Sequence, residues 1–196
     1  VKEALSYQNY KKEWEEKLDG WLKQFISSDL SIGTKTLHLS DLRVQDCRME
    51  MEFWFEIRKA NLKAIDRVVT EHILKGQARP PLNEEHLNGM LKGFVDLIFR
   101  FDNQFYVADY KSNQIGKTDA AFTEEAQDKE VLKHRYDLQY SLYTLALHRY
   151  LRSRLGEAYD YDRSVGGVAY FFLRGINGPT NGVHFVKPPR EMIEAL

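Results

Sequence analysis

The sequence predicts one α/β domain in which helices flank a mixed β-sheet. Residues 93–101 and 104–111 are two largely apolar runs joined by Asp102-Asn103, a pair of residue types that favours a tight hairpin turn. Residues 136–155 carry apolar and aromatic side chains at helical spacing and stop at a glycine. Strand-like and helix-like segments alternate along the rest of the chain, which is the order expected of a layered α/β domain.

Composition excludes several classes of protein. The chain has 196 residues, 43% hydrophobic and 29% charged, which suits one globular domain. No run approaches the roughly 18 apolar residues of a transmembrane helix. Cys47 is the only cysteine, which excludes an internal disulfide, a four-cysteine zinc site and a cysteine-ligated iron–sulfur cluster and favours the cytoplasm. A net charge of −1 argues against a free-standing nucleic-acid binder but is compatible with an enzyme whose substrate a neighbouring domain delivers.

The first half of the chain is predicted to contain two helices and one strand. Residues 9–27 repeat apolar side chains at helical spacing, and residues 28–48 are interpreted as a connector. Residues 49–57 alternate, with Met49 and the other apolar side chains on one face and acidic side chains mostly on the other, as in a strand. Residues 60–75 form a second helical pattern that ends at a glycine.

The second half continues with helices and strands after the hairpin. Polar residues 112–120 lead into an acidic stretch that favours a helix, and the long helix 136–155 follows. A strand is predicted at residues 168–173, and a shorter strand around residues 183–186 comes after a loop rich in glycine, proline and asparagine.

Two carboxylates are predicted to meet across the hairpin. If Asp102-Asn103 forms the turn, Asp96 lies opposite Asp109, with about 4.5–5.5 Å between the Cβ atoms. Two like charges in an apolar sheet are unfavourable unless one is protonated or a cation lies between them. Lys111 follows two residues after Asp109 and therefore projects from the same face. These groups suit Mg²⁺ and a phosphate; the alternative is a structural Asp–Lys–Asp cluster, although a buried ionic cluster is a poor source of stability.

Other candidate residues have plainer interpretations beside the functional one. Glu52 competes with Glu50 and Glu56 on one strand face, and a solvated polar face is the simpler interpretation. Gln139 and Tyr143 are four residues apart and share a helix face, which core packing also explains. Basic side chains near the ends of the long helix, Arg135 and Arg149 among them, suit phosphate contacts or a solvated helix end.

An ordered set of motifs carries a resemblance to a known family. Residues 90–100 (MLKGFVDLIFR), 109–113 (DYKSN) and 136–151 (YDLQY running on to Tyr143 and beyond) come in this order, followed by Gly166-Gly167-Val168 and residues 172–175. The set resembles the C-terminal nuclease domains of RecB-type helicase–nucleases, the exodeoxyribonuclease V (RecBCD) type, within the PD-(D/E)xK superfamily. It covers most of the chain from residue 49 to residue 175.

The resemblance implies a fold, a reaction and site residues. The fold would be restriction-endonuclease-like, and the reaction would be Mg²⁺-dependent hydrolysis of DNA phosphodiester bonds, with Mn²⁺ as a substitute and no iron–sulfur cluster. The catalytic set would be Asp109, Lys111, Glu52, Gln139 and Tyr143, and the metal ligands would be Asp96, Asp109 and the main-chain carbonyl of Tyr110. The predicted nucleic-acid contacts are Arg135, Arg149, Lys92 and Arg174.

The resemblance also predicts organisation and partners. The chain begins at Val1 without a methionine, so we expect one nuclease domain (1–196) from a longer helicase–nuclease. We expect a helical N-terminal part (1–48), a nuclease core (49–187) and the start of a C-terminal helix (188–196). The partners would be single DNA strands, the rest of the RecB-type chain, RecC- and RecD-type subunits and RecA, without a membrane. The rival hypotheses are a docking or regulatory module with the same fold, such as one for RecA loading, and a metal-binding domain that acts on something other than DNA.

One family feature is expected to be missing. RecB-type nucleases carry a metal-binding histidine in a Gly-Thr-x-x-His motif that would lie upstream of Val1. Gly33-Thr34 with His38 has a spacing one residue longer, so we interpret it as a coincidence. We therefore expect this chain to lack one family metal ligand. The remaining histidines are expected to be surface or packing residues: His72, His86, His134, His148 and His184.

Overall fold

The structure is a computed structural model that describes residues 13–82 and 86–196, with only the backbone described for residues 13, 55–61 and 86–91. The helices are α1 (Glu13–Ile26), α2 (Leu62–His72), α3 (Glu124–Lys133), α4 (Tyr136–Leu155), α5 (Tyr161–Ser164) and α6 (Arg190–Ala195). The strands are β1 (Leu30–Ile32), β2 (Lys35–Leu37), β3 (Cys47–Asn61), β4 (His86–Phe101), β5 (Gln104–Lys111), β6 (Val165–Phe172) and β7 (Val183–Val186).

The main sheet is mixed and is covered on both faces. Its five strands lie in the order β3-β4-β5-β6-β7, and β5 and β6 are the parallel pair among antiparallel neighbours. One core lies between the sheet and α2, α4 and α6, and a second core lies between the opposite face and α1 with the β1–β2 hairpin. The predicted α/β layer architecture is confirmed. No helix among the described ranges is long and apolar enough to span a bilayer.

The β4–β5 hairpin forms at the predicted turn. Asp102 and Asn103 have φ angles of 47° and 62°, the left-handed conformation that a two-residue turn of this kind requires. The strands pair from Phe101↔Gln104 to Leu97↔Ala108, in the register that the turn dictates.

The crossover between the parallel strands runs through α3 and α4. Thr123 caps α3, because its side-chain hydroxyl accepts a hydrogen bond from the backbone N–H of Ala126. Helix α4 has the predicted bounds and ends at Gly156, whose φ angle is 55°. Helix α4 packs on one face of the sheet over β5 and β6, so the side chains on its inner face reach the ends of those strands.

A buried ion-pair network fixes the start of α4. Arg79 Nη1 lies 2.7 Å from Asp137 Oδ2, and Arg135 Nε lies 3.1 Å from Asp137 Oδ1. Arg135 also pairs with Asp66 of α2. The side chain of Asp137 is fully buried. Removing one partner from such a network would leave a buried charge unpaired, so the network sets the position of α4 relative to α2.

The connector predicted at residues 28–48 is wrong in part. It contains the antiparallel hairpin β1–β2, in which Leu30 and Leu37 form a pair and are both fully buried. Strands of three residues are too short to show an alternating pattern, which explains why the sequence did not predict them. Within residues 13–48, the predicted helical N-terminal part is therefore a helix followed by a hairpin. Residues 9–12 of the helix predicted at 9–27 lie outside the described residues.

Strands β3 and β4 are longer than predicted, and the burial predicted for Met49 is wrong. The prediction gave residues 49–57 and 93–101, whereas the strands span Cys47–Asn61 and His86–Phe101. Met49 is 77% exposed, although Phe53 is buried. The reason is a reversal of the ribbon at Glu50, described below.

Candidate active site

The β3–β4 ribbon exchanges its two faces at Asp96. Val95 packs in the core beside α4, whereas Leu97 packs in the core on the opposite face. Side chains two residues apart normally share a face of a strand, so the faces exchange between these two residues. On β3 the residue opposite Asp96 is Glu50, which has a φ angle of 50°. This left-handed residue produces the reversal, because the register of the ribbon is the same on both sides of it.

The reversal removes Asp96 from the ladder with β5. Pairing ends at Leu97↔Ala108, so the predicted cross-strand pair of Asp96 and Asp109 is not formed. The Asp96 carboxylate instead accepts a hydrogen bond of 3.0 Å from the backbone N–H of Tyr110 to Oδ2. The Asp96 side chain therefore hydrogen-bonds to β5 at a position where the backbone ladder between β4 and β5 has already ended. The two carboxylates are still close enough for the charge of Asp96 to raise the pKa of Asp109.

Asp109 and Lys111 form a buried ion pair on the face that packs against α4. Lys111 Nζ lies 2.6 Å from Asp109 Oδ2, which confirms that the two side chains project from one face. Asp109 is 4% exposed. Burial raises the pKa of its carboxyl above the ordinary value, Lys111 opposes this rise, and Asp96 adds to it. A poorly solvated carboxylate next to a second one favours a cation between them.

Lys111 is held by α4 as well as by Asp109. Its ammonium group donates a hydrogen bond of 2.9 Å to Gln139 Oε1. It also lies 4.1 Å from the ring centroid of Tyr136 and 4.7 Å from that of Tyr170. Two rings, a carboxylate and an amide oxygen around one ammonium group fix its position.

Gln139 is itself oriented at both ends of its amide. Tyr170 donates a second hydrogen bond, of 2.8 Å, to Oε1, while Nε2 donates one of 2.9 Å to the hydroxyl of Tyr143. Burial raises the pKa of Tyr143 to about 12 and that of Tyr170 well above its ordinary value, so both hydroxyls are neutral at physiological pH. Gln139 and Tyr143 were predicted to share a face, and they lie together beside Lys111.

Sequence reasoning missed the two tyrosines around Lys111. Tyr136 precedes Gln139 by three residues on α4, so its helical spacing was a usable signal. Its hydroxyl donates to Asn113 Oδ1 at 3.2 Å, and Asn113 in turn donates to Glu130 Oε1 at 2.9 Å. Tyr170 lies opposite Asp109 in the parallel β5–β6 pair, which only the sheet order reveals.

Glu52 lies outside this cluster. It forms an ion pair of 2.7 Å with Lys92, and its side chain is 38% exposed. The hydrogen bond from Lys92 lowers the pKa of Glu52. Its neighbour Phe53 packs against Tyr143 with ring centroids 5.7 Å apart, so Glu52 occupies the opposite face of the ribbon. The structure therefore brings neither Glu52 nor Lys92 to Asp109.

Of the other basic residues predicted to contact nucleic acid, one lies near the Asp109–Lys111 pair, one lies far from it, and one has a structural role. Arg174 donates from Nε to the carbonyl of Ser112 at 2.8 Å, one residue beyond Lys111, and is exposed. Arg149 is exposed on α4, ten residues after Gln139 and so about 15 Å further along the helix. Arg135 is 11% exposed and engaged with two aspartates, so its predicted phosphate contact is replaced by the structural role described above.

Asp96 and Asp109 are the two carboxylates that the described part of the chain brings together as oxygen donors for a metal ion. Among the described residues no group of three or more histidine, cysteine, aspartate and glutamate side chains suits a metal. His38 is occupied by Asp29 and Asp41, with Nε2–Oδ1 and Nδ1–Oδ2 distances of 2.6 and 3.2 Å. Asp96 and Asp109 still fit Mg²⁺, because this ion often binds through one or two carboxylates and completes its coordination with water and substrate phosphates.

Comparison with known proteins gives a consistent result. Residues 11–195 match the family model of the PD-(D/E)XK nuclease superfamily. The RecBCD enzyme subunit RecB of Escherichia coli (strain K12) is 38% identical over 199 residues, which cover 100% of this chain and 17% of that protein. RecB of Haemophilus influenzae is 44% identical over 187 residues (92% and 15%), and RecB of Borreliella burgdorferi is 27% identical over 175 residues (85% and 14%). The chain thus spans less than a fifth of the length of these relatives.

Proposed function

The chain belongs to the PD-(D/E)XK nuclease superfamily, and we propose that it is the DNA-hydrolysing domain of a RecBCD-type helicase–nuclease, with Mg²⁺ as its cofactor. The mixed sheet flanked by helices is the restriction-endonuclease-like fold of this superfamily. The observation that carries the proposal is the cluster of Asp96, Asp109 and Lys111 at the end of the central hairpin, with Gln139 behind the lysine.

Asp96, Asp109 and the carbonyl of Tyr110 are proposed to hold the metal ion. The raised pKa of Asp109 reflects a carboxylate that has lost much of its water, and a divalent cation would replace that solvation. When bound, Mg²⁺ would act as a Lewis acid that neutralises charge on the phosphate.

Lys111 is the proposed catalytic cation of the chain itself. Its ammonium group is fixed between Asp109, Gln139 and two tyrosine rings, so it is preorganised to donate a hydrogen bond to a phosphate oxygen or to orient the attacking water. Gln139 and Tyr143 act through Lys111 and are positioning residues. No step is assigned to Glu52, since its contacts lie on the other face of the ribbon.

The substrate is proposed to be a single DNA strand that a helicase motor delivers. The longer RecB relatives are named as subunits of the RecBCD enzyme, which supports RecC- and RecD-type subunits and the remainder of a RecB-type chain as partners, in the cytoplasm where the DNA lies. RecA remains a further proposed partner through the family resemblance. Arg174, exposed next to Ser112, is the basic residue best placed to meet the strand beside the site.

Cleavage by single-residue variants tests the proposal. An end-labelled single strand is incubated with the 196-residue chain and Mg²⁺ or Mn²⁺, beside Asp109→Ala and Lys111→Ala. We expect both variants to reduce cleavage to background while keeping the fold, measured by circular dichroism. Lys129→Ala is the matched control, because Lys129 forms an exposed pair with Glu125 at the same 2.6 Å distance.

Calorimetry separates the proposed nuclease from the alternative docking module. We expect Mg²⁺ to bind to the wild-type chain and not to Asp109→Ala. Cleavage that Asp109→Ala retains would contradict the catalytic assignment. A folded wild-type chain that neither binds Mg²⁺ nor cleaves DNA would mean either that the family's metal-binding histidine is indispensable or that the domain is a non-catalytic module with the same fold. The same titration on a longer chain that includes the Gly-Thr-x-x-His motif distinguishes the two.

A further inference from the structure

We propose that Trp54 and Phe94 form a stacking platform for the bases of single-stranded DNA on the outer face of the β3–β4 ribbon. The inference deepens the proposed function and rests on it. The aromatic platform is defined as Trp54, Lys92 and Phe94, and it lies on the face opposite to Phe53 and the α4 core.

The two rings are exposed and adjacent. Trp54 is 53% exposed and Phe94 is 49% exposed. Trp54 pairs with Lys92 and Phe94 pairs with Glu52 in the ribbon, so the two aromatic residues are diagonal neighbours on one face, a relation that separates their backbones by about 7–8 Å. Isolated exposed aromatic residues are ordinary, whereas adjacent ones mark a surface that contacts another molecule.

Lys92 lies between the rings. Its Nζ is 4.8 Å from the ring centroid of Trp54 and 4.9 Å from that of Phe94. It also pairs with Glu52, but both side chains of that pair are about 40% exposed, and such surface pairs are weak. A phosphate can therefore replace Glu52 as the partner of Lys92.

These features favour a nucleic acid over a protein as the occupant. Proteins that bind single strands combine aromatic rings, on which bases stack, with basic groups that meet the backbone. The centre of a protein–protein interface is instead depleted of charged residues. Here a lysine and its glutamate occupy the centre of the patch.

The position of the platform suits a strand that leads to the site. Phe94 precedes Asp96 by two residues on β4, about 7 Å along the strand. At the axial spacing of about 3.4 Å per nucleotide in a stacked strand, this distance corresponds to about two nucleotides. The platform and the Asp109–Lys111 pair lie on opposite faces of the sheet, so a strand held on Trp54 and Phe94 would meet Asp96 first, where the ribbon separates from β5.

Fluorescence anisotropy with a labelled oligo(dT) tests the platform, without divalent metal so that the strand is not cut. We expect Trp54→Ala and Phe94→Ala each to weaken binding by about fivefold or more, and Trp54→Phe to retain most of the affinity. Trp14→Ala is the matched control, because Trp14 is 47% exposed and carries Lys17 at 5.5 Å from its ring. Lys92→Ala should reduce the slope of log affinity against log salt concentration by about 1, as expected for the loss of one phosphate contact.

An abasic oligonucleotide of equal length isolates stacking from charge. The wild-type chain should bind oligo(dT) more tightly than the abasic strand, and the double variant Trp54→Ala/Phe94→Ala should lose that preference. Circular dichroism checks that the variants fold. A wild-type chain without the preference, or a double variant that keeps it, would overturn the platform; the latter would leave the patch to a protein partner. Cleavage by the wild-type chain is scored separately, so a failure of the platform differs from a failure of the nuclease.

Discussion

Four groups hold the ammonium of Lys111 in place. Asp109 and Gln139 accept hydrogen bonds of 2.6 and 2.9 Å from it, and Tyr136 and Tyr170 present their ring faces. A side chain that is long and rotamer-rich in solution is thereby restricted to one position before any substrate arrives. Preorganised charge of this kind is what stabilises a transition state most effectively.

Gln139 is therefore expected to matter for cleavage although it carries no charge. Gln139→Leu removes the acceptor of Lys111 and leaves the hydroxyl of Tyr170 without its acceptor. We expect cleavage of a single strand to fall about 10–100-fold, the range typical of groups that orient a catalytic residue. The loss should appear mainly in kcat, since Lys111 still attracts the phosphate.

Tyr143→Phe is the graded control for this prediction. It removes only the acceptor of Gln139 Nε2, at 2.9 Å, and keeps the ring that packs on Phe53. We expect a smaller loss than for Gln139→Leu. Equal losses in the two variants, or an unchanged kcat in Gln139→Leu, would mean that Gln139 does not position Lys111.

For single residues, the sequence predicted which side chains are neighbours wherever that follows from the periodicity of a strand or helix. The two-residue period placed Lys111 beside Asp109, and the four-residue spacing placed Tyr143 beside Gln139. It did not predict that Asp96 leaves the ladder, because the cause is the left-handed conformation of Glu50, a residue type that rarely adopts it.

Among the elements, the junction of β5 and β6 depends on two glycines. The register shifts between Phe105↔Val165 and Tyr106↔Gly167, so Gly166 is the extra residue of a bulge. The ring of Tyr106 occupies the place of a Gly166 side chain. Gly167 has a φ angle of 143°, and a Cβ there would lie 2.8 Å from the carbonyl oxygen of Val186. The bulge therefore needs glycine at both positions.

Gly167→Ala is expected to destabilise the fold, and Gly20→Ala is expected to stabilise it. The first change combines backbone strain, which costs about 1–3 kcal/mol, with a clash against β7. The second adds a methyl group at an exposed position of α1, where the new Cβ would meet no other part of the described chain within 4 Å, and should raise the free energy of unfolding by about 0.5–1 kcal/mol. Urea denaturation measures both. A neutral Gly167→Ala would show that the bulge relaxes without cost.

The long and regular elements were predictable, and the short ones were not. Helix α4 and the β4–β5 turn follow the sequence pattern closely because each has many residues in one periodicity or a specific turn pair. The hairpin β1–β2 has three residues in each strand, and its stability comes from burial of Leu30 and Leu37 in the core below α1, a tertiary effect. The bounds of β3 and β4 were underestimated at the far end of the ribbon, at residues 58–61 and 86–92, and at the first two residues of β3.

At the scale of the whole molecule, the position of the Asp96–Asp109–Lys111 cluster in the fold determines which surfaces lie beside it. The cluster lies where the ribbon reverses and separates from β5, beneath the start of α4, with Arg174 and the aromatic platform on different sides. The net charge is −1, so attraction of DNA to the entire surface is weak and recognition must rest on local groups. This agrees with a domain that receives its strand from a neighbour.

If Mg²⁺ binds at the proposed site, we expect it to stabilise the whole folded chain against unfolding. An ion that binds only the folded chain, at about 100 times its Kd, raises the free energy of unfolding by about 2.7 kcal/mol, which corresponds to a rise in Tm of about 5–10 °C at this size. Asp109→Ala should abolish the rise. Its own Tm without metal is a poor guide, because removal of a poorly solvated carboxylate changes stability independently of the ion. The change on adding Mg²⁺ is therefore the quantity to compare, with Lys129→Ala as the control. Equal shifts in wild type and Asp109→Ala would place the stabilising ion elsewhere on the molecule and would remove the energetic support for a metal between Asp96 and Asp109.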